Sequence, residues 1–179
     1  MDYLTSDVIQ LRALEPEDLP LLYKWENNTQ WWEDGNTLTP YSSYILREYI
    51  VNSDKSIYET KQLRLMISLA STADTVGMID LYDFDPHHSR AGVGIMIDPS
   101  FQQKGYAAEA LRLLTEYAFN FFSVNQLYAH ITTENTASIK LFEATGFVQA
   151  GVLKQWIKGK KSYKDIFVYQ KINQEEAIV

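Results

Sequence analysis

The sequence predicts an α/β (α+β) fold, and three observations carry that prediction. About seven strand-like and about four helix-like runs follow in the order strand, two helices, three strands, helix, strand, helix, two strands. An apolar run, Val93 to Ile97, passes through a short polar loop into an amphipathic stretch that opens near Gly105. A second passage of the same kind leads from the strand-like run Leu127 to Ile131 into a helix-like stretch closed by Gly146.

The elements follow in order. Val8 to Leu14 reads as a strand, and Glu15-Pro16-Glu17-Asp18 opens a helix, with proline and acids in its first turn, that runs to about Asn27. Trp31-Trp32-Glu33-Asp34-Gly35 forms a loop, and Ser42 or Ser43 caps a second helix through about Val51. Leu63 to Leu69 and Val76 to Tyr82 are paired strands around the polar turn Ser71 to Asp74. Arg90 to Ile97 is the fourth strand, in which Gly92 and Gly94 signal a bulge or a close approach by another backbone or a ligand. The helix after Gly105 carries apolar residues at positions 107, 110, 111, 114, 118 and 121, one face at the helical period. Asn135 or Thr136 caps the next helix, and Gly146 supplies the left-handed residue that stops it. Val148 to Ile157 and Tyr163 to Ile172 are final strands joined by the turn Lys158-Gly159-Lys160-Lys161.

Composition narrows the function. A chain of 179 residues, 46% hydrophobic and 13% aromatic, suits one domain over residues 1–179 with a sizeable core. No apolar run approaches a membrane span, and Met1 to Asp7 lacks the basic and apolar regions of a signal peptide, so no membrane association and a cytoplasmic location are expected. The absence of cysteine removes disulfides, thiolate metal sites and cysteine acyl-enzyme chemistry, and three histidines, two of them adjacent, make a poor metal set, so no metal is expected. A net charge of -7 disfavours nucleic acid as a partner and suits a cationic small molecule, although acidity also serves solubility alone.

The loop Gln102-Gln103-Lys104-Gly105-Tyr106-Ala107 is the strongest functional signal. Backbone N–H groups from about Lys104 to Ala108 have no intrahelical partner and lie at the positive end of the helix dipole, so the junction is an anion cradle suited to a pyrophosphate. Gly105 lets the backbone approach a phosphate, and Ala107 and Ala108 leave the first turn unobstructed. An ordinary strand-to-helix turn is the structural alternative. The pattern lacks the Lys-Ser or Lys-Thr of a Walker loop and the repeated glycines of a dinucleotide fingerprint.

This loop, together with Glu134-Asn135-Thr136-Ala137-Ser138-Ile139-Lys140-Leu141-Phe142-Glu143-Ala144-Thr145-Gly146-Phe147, resembles the GNAT N-acetyltransferase superfamily over roughly residues 6–172. The resemblance implies a mixed, mostly antiparallel central sheet of about seven strands, with splayed parallel strands 4 and 5 that admit acetyl-coenzyme A (acetyl-CoA), flanked by about four helices. It also implies direct attack of a neutral amine on the thioester, with a strand N–H near Met96 and Ile97 holding the oxyanion. The implied coenzyme site comprises Met96, Ile97, Gln102, Gln103, Lys104, Gly105, Tyr106, Ala107, Ala108, Asn135, Ser138 and Phe142. Phe142 stands where many such enzymes carry a proton-donating tyrosine. Tyr128, Ser138, Tyr163 or an ordered water are the substitutes, and His130 is read as a structural residue.

Within the superfamily, Trp25-Glu26-Asn27-Asn28, the acidic Glu33-Asp34, and Gly77-Met78-Ile79-Asp80-Leu81-Tyr82-Asp83 leading to His87-His88-Ser89-Arg90-Ala91 make the chain similar to bacterial diamine and spermidine N-acetyltransferases, and next to ribosomal-protein N-terminal acetyltransferases. The first similarity implies a polyamine acceptor bound by Glu33, Asp34, Asp80 and Asp83, with Asp80, Asp83 and Asn135 as the catalytic set. Asp80 and Asp83 are three apart, so a regular strand would put them on opposite faces unless it bends. Gly92 stands where the polyamine enzymes commonly carry a glutamate. Trp25, Trp31 and Trp32 suit either cation-π walls or core packing. An exposed C-terminal edge strand would support a homo-oligomer. A protein N-terminal acetyltransferase and a non-catalytic acyl-CoA binding module are the alternatives.

Overall fold

The computed structural model describes residues 3–32 and 37–174. Glu33 and Asp34 lie outside the described residues. The chain runs β1 (Ile9–Arg12), α1 (Leu19–Glu26), α2 (Ser43–Val51), α3 (Ile57–Thr60), β2 (Leu63–Leu69), β3 (Thr75–Asp85), β4 (Arg90–Ile97), α4 (Tyr106–Asn120), β5 (Gln126–Thr132), α5 (Thr136–Ala144), β6 (Val148–Lys158) and β7 (Tyr163–Ile172). The strands form one seven-stranded sheet in the order β1-β2-β3-β4-β5-β7-β6, in which only β4 and β5 pair in parallel. The architecture is the expected mixed sheet, with a one-turn helix, α3, that the sequence pattern did not announce.

Local chemistry explains the ends of these elements. Pro16–Asp18 folds as a 3-10 turn, and the α-helix proper starts at Leu19, one turn later than expected. Asp18 holds that turn to β1 through a bidentate pair with Arg12 (2.7 and 2.8 Å). Ser42 caps α2 by accepting the Ile45 N–H (3.2 Å). α4 ends at Asn120, so Phe121, expected on its buried face, instead stands 62% exposed and stacks on Tyr117 at 5.1 Å. Among the described residues no helix is long and apolar enough to cross a membrane.

The sheet is covered on both faces. Alternation along β3, β4 and β5 sends Ile79, Leu81, Ala91, Val93, Leu127 and Ala129 into a large cluster with Leu111 and Leu114 of α4. The opposite face meets α1 and α2, where Leu22, Trp25, Leu46 and Ile50 pack on Met66. β3 carries a bulge between Tyr82 and Asp85, with Asp83 in a left-handed conformation at φ 48°. The extra residue breaks the two-residue alternation, so Phe84 rejoins the large core and Asp83 leaves it for the opposite, exposed side.

Candidate functional site

The site arises where the parallel pair comes apart. β4 and β5 are in register only at Arg90–Gln126, Ala91–Leu127 and Gly92–Tyr128, after which they separate, while β5 stays paired with β7 through Thr132. The separation opens a cleft of about 1780 Å³. One wall is β4 from Val93 to Ile97 and the following loop, the other is His130 with the start of α5, and the β6–β7 hairpin closes one side.

The loop has the geometry of an anion cradle. Asp98 is its anchor: it accepts Lys24 Nζ (2.7 Å), Trp25 Nε1 (2.8 Å) and both the hydroxyl and the N–H of Ser100 (2.7 and 3.1 Å). Burial alone would raise this carboxyl, but the bonds from Lys24, Trp25 and Ser100 outweigh it and hold Asp98 far below the usual carboxylate range. Gln102 donates to the Ile97 carbonyl (3.1 Å), Gln103 adopts a left-handed backbone, and Gly105 follows at φ 83° as the N-cap of α4. The first bond of the helix ladder runs from the Glu109 N–H to the Gly105 carbonyl (3.2 Å). The N–H groups of Tyr106, Ala107 and Ala108 therefore precede the ladder, and all three residues line the cleft. A Cβ added at Gly105 would meet nothing within 4 Å, so that space is open to a ligand.

Asn135 caps α5, its Oδ1 accepting the Ser138 N–H (3.1 Å), which leaves the side-chain NH₂ as its remaining polar group in the cleft. Ala137, Leu141 and Ala144 recur at helical spacing and present one face of α5 to the cleft, with Ser138 and Lys140 beside them. Phe142 falls on the opposite face. It is 3% exposed, packs edge-on to Phe147 at 4.9 Å, and does not line the cleft, so its expected contact with the coenzyme is corrected to a core role. Met96, Ile97, Gln102, Gln103 and Lys104 do line it. Of the substitute proton donors Ser138 lines the cleft, whereas Tyr128 and Tyr163 do not.

The acidic wall differs from a row of free carboxylates. Asp80 is gripped by Arg64 through Nε (2.8 Å) and Nη2 (2.7 Å), and Arg64 also pairs with Glu26. Burial opposes the Arg64 charge, but Asp80 and Glu26 more than restore it, so this largely buried guanidinium stays charged. Asp80, Glu26 and Arg64 all line the cleft, and the bulge brings Asp83 into it as well, so both aspartates share one cleft because β3 bends. Trp25, Trp31 and Trp32 all line the same cleft, but Trp25 is only 2% exposed and its Nε1 is bound to Asp98.

Two further side chains stand at the apex. Tyr82 pairs in register with Gly92, and its ring lies so close over β4 that a Cβ on Gly92 would sit 2.3 Å from it. Gly92 is thus a close-approach glycine rather than a bulge. The Tyr82 hydroxyl faces the backbone of His130, the ring stands edge-on to Tyr128 at 5.9 Å, and Tyr128 lies 5.5 Å from the His130 ring. Burial pushes the Tyr82 phenol up and the His130 imidazole down, the latter partly offset by the charge of Asp83. From the sequence His130 reads as structural and Tyr82 has no assigned role; the available signals are the only isolated histidine, alternating with Tyr128 and Thr132 on one strand face, and a glycine facing a tyrosine across a hairpin.

A family model for the acetyltransferase (GNAT) domain matches residues 9–148. Over 164 residues the chain is 29% identical to the spermidine N(1)-acetyltransferase of Vibrio cholerae serotype O1, covering 88% of this chain and 89% of that one. The crystal structure of spermidine N-acetyltransferase from Vibrio cholerae in complex with CoA and spermine superposes with a TM-score of 0.84 at 24% identity, covering 93% of this chain and 96% of that one, a likeness of fold. The dodecameric structure of the spermidine N-acetyltransferase from the same organism superposes with a TM-score of 0.77 at 27% identity, covering 93% and 95%.

Proposed function

We propose that this chain, which belongs to the GNAT acetyltransferase family, transfers an acetyl group from acetyl-CoA to a primary amine of a polyamine such as spermidine, by direct attack in a ternary complex. The observation that carries the reading is a single cleft joining a ready anion cradle at 104–108 to an acidic wall of Glu26, Asp80 and Asp83. Three carboxylates against the one guanidinium of Arg64 leave two net negative charges on that wall, which suits an acceptor bearing more than one ammonium.

The coenzyme supplies an acyl group activated as a thioester. The N–H groups of Tyr106, Ala107 and Ala108, with Lys104 beside them, would hold its pyrophosphate. The backbone of Met96 and Ile97 and the free amide and hydroxyl of Asn135 and Ser138 would hold the pantetheine arm from opposite walls. A β4 backbone N–H would take the charge that develops on the carbonyl oxygen during attack. An alkylammonium has a reference pKa near ~10.4, so the acceptor must lose a proton before its nitrogen can attack.

Release of free coenzyme A, followed with a thiol reagent across spermidine, spermine, putrescine, amino sugars and short peptides, tests the reading; the protein contributes no thiol of its own. Turnover with polyamines supports it. Turnover with peptides alone would replace it with protein N-terminal acetylation, a reading favoured by Gly92, which leaves this wall without a carboxylate on β4. Coenzyme binding without turnover of any amine would replace it with a binding module. Self-association through β6 is part of the same proposal: it is an edge strand with Val148 at 70% and Trp156 at 58% exposure, and a related enzyme is described as dodecameric.

A further inference from the structure

We propose that His130 is the group that takes the proton from the acceptor's ammonium, and that Tyr82 is the residue that positions it. The inference rests on the acetyltransferase reading of the cleft and holds for whichever primary amine is acetylated.

The placement follows from the register. β4 and β5 last pair at Gly92–Tyr128, and side chains at 128 and 130 share one face of β5. His130 is therefore the first side chain on that face beyond the point where the strands part. It lines the cleft and is exposed to it, and no hydrogen bond from another described side chain occupies its ring nitrogens.

Beyond Gly92–Tyr128 the ladder offers His130 no partner on β4. Tyr82, anchored on β3, reaches across Gly92 and sets its hydroxyl against the His130 backbone. Tyr128 braces the imidazole at 5.5 Å and is itself braced by Tyr82 at 5.9 Å. This bridge from β3 over β4 to β5 fixes both the apex of the cleft and the backbone that carries the imidazole. Gly92 is what makes it possible, because any side chain there would collide with the Tyr82 ring.

The groups around the imidazole suit a base. Asp83 is turned into the cleft by the bulge, and its carboxylate favours the imidazolium once formed; Tyr82 and Tyr128 stay neutral phenols, raised by burial. The cleft's other charges are the Arg64 cluster with Glu26 and Asp80, and the lysines 104, 140, 158 and 160 on its opposite walls. The surrounding cleft walls strip part of the imidazole's hydration even though its edge is exposed, which holds it below its ordinary value, so it is neutral at pH 7 and free to accept.

The step balances. One proton passes from the ammonium to His130, giving a neutral amine and an imidazolium. The amine nitrogen attacks the thioester carbonyl, the C–N bond forms, the C–S bond breaks, and its electron pair leaves on sulfur. A second proton passes from the attacking nitrogen to the departing thiolate or to water, and the imidazolium returns its own to solvent.

The test is the pH profile of kcat/KM for the wild type and His130→Gln, with whichever amine is turned over. The wild type should rise with unit slope to a limb below pH 6.5 and then level off. The variant should lose the plateau, rise with unit slope towards the amine's own pKa near ~10.4, fall roughly 100- to 10,000-fold at pH 7, and approach the wild type near pH ~10. Tyr82→Phe should lower kcat while leaving the KM for acetyl-CoA unchanged. Proton NMR should show the His130 ring titrating below 6.5 and lower still in Asp83→Asn. A His130→Gln profile parallel to the wild type, whether undiminished or uniformly lower, would overturn the assignment, as would an imidazole that titrates above pH 7. Failure with spermidine but success with another amine would count against the acceptor proposal alone.

Discussion

Gly105 offers the sharpest way to separate fold from ligand. Its φ of 83° is left-handed, and an added Cβ meets nothing within 4 Å, so a side chain there is strained but not obstructed. Left-handed backbone costs about 1–2 kcal/mol for a residue with a Cβ. In a domain of this size that lowers Tm by about 2–8 °C, and Gly105→Ala, Gly105→Gln and Gly105→Glu should share this loss. Only the last adds a charge beside the N–H groups of residues 106–108. With an effective dielectric of about 20, a carboxylate about 5 Å from one phosphate charge costs roughly 3 kcal/mol, more than a hundredfold in affinity. Isothermal calorimetry with coenzyme A should therefore find Gly105→Glu more than about 100-fold weaker than Gly105→Gln at low salt, with the gap shrinking as ionic strength rises. Equal affinities for the glutamine and glutamate variants would show that the pyrophosphate is not held at the start of α4.

Three other outcomes follow from contacts already described. Asp98→Asn should cost about 1–3 kcal/mol by denaturant unfolding, because Lys24, Trp25 and Ser100 lose part of a shared acceptor. Since Asp98 titrates lower folded than unfolded, its contribution is complete above about pH 4 and is lost as the pH falls through the folded value, so the wild type and the variant should converge in stability on acidification. Asp80→Asn should destabilise by about 3–5 kcal/mol through the buried Arg64, whereas the exposed Asp83→Asn should leave Tm unchanged and raise the acceptor KM by roughly fivefold, about 1 kcal/mol; equal Tm losses would contradict this division. Gly92→Ala should cost about 1–3 kcal/mol by overpacking, and most of that loss should vanish in a Tyr82→Ala background; additive losses would refute the contact.

The parts of this site legible in the sequence are those made by local chain. The loop from Gln102 to Ala108 sits between a strand and a helix that each declare themselves by periodicity, so its geometry needs no knowledge of the rest of the fold. The cap at Asn135 and the stop at Gly146, at φ 86°, are likewise local. What escaped depends on register. Arg64 lies opposite Asp80 only once the β2–β3 hairpin is folded, and folding it about Ser71 to Asp74 would have matched them to within one residue. Tyr82 meets Gly92 by the same logic across β3–β4, and the bulge at Asp83 that reverses the face parity has no sequence marker beyond the nearby turn. Phe142 was assigned from a motif position, yet helical spacing from Ala137, Leu141 and Ala144 would have turned it inward.

The account's central claim is acetyl transfer to a polyamine in the cleft between β4 and β5. The direct measurement is mass spectrometry of spermidine after incubation with the protein and acetyl-CoA. The account predicts N-acetylspermidine formed in step with coenzyme A release and, at low salt and sub-saturating acetyl-CoA, strongly reduced by Gly105→Glu. Unmodified spermidine alongside measurable acetyl-CoA binding would contradict it.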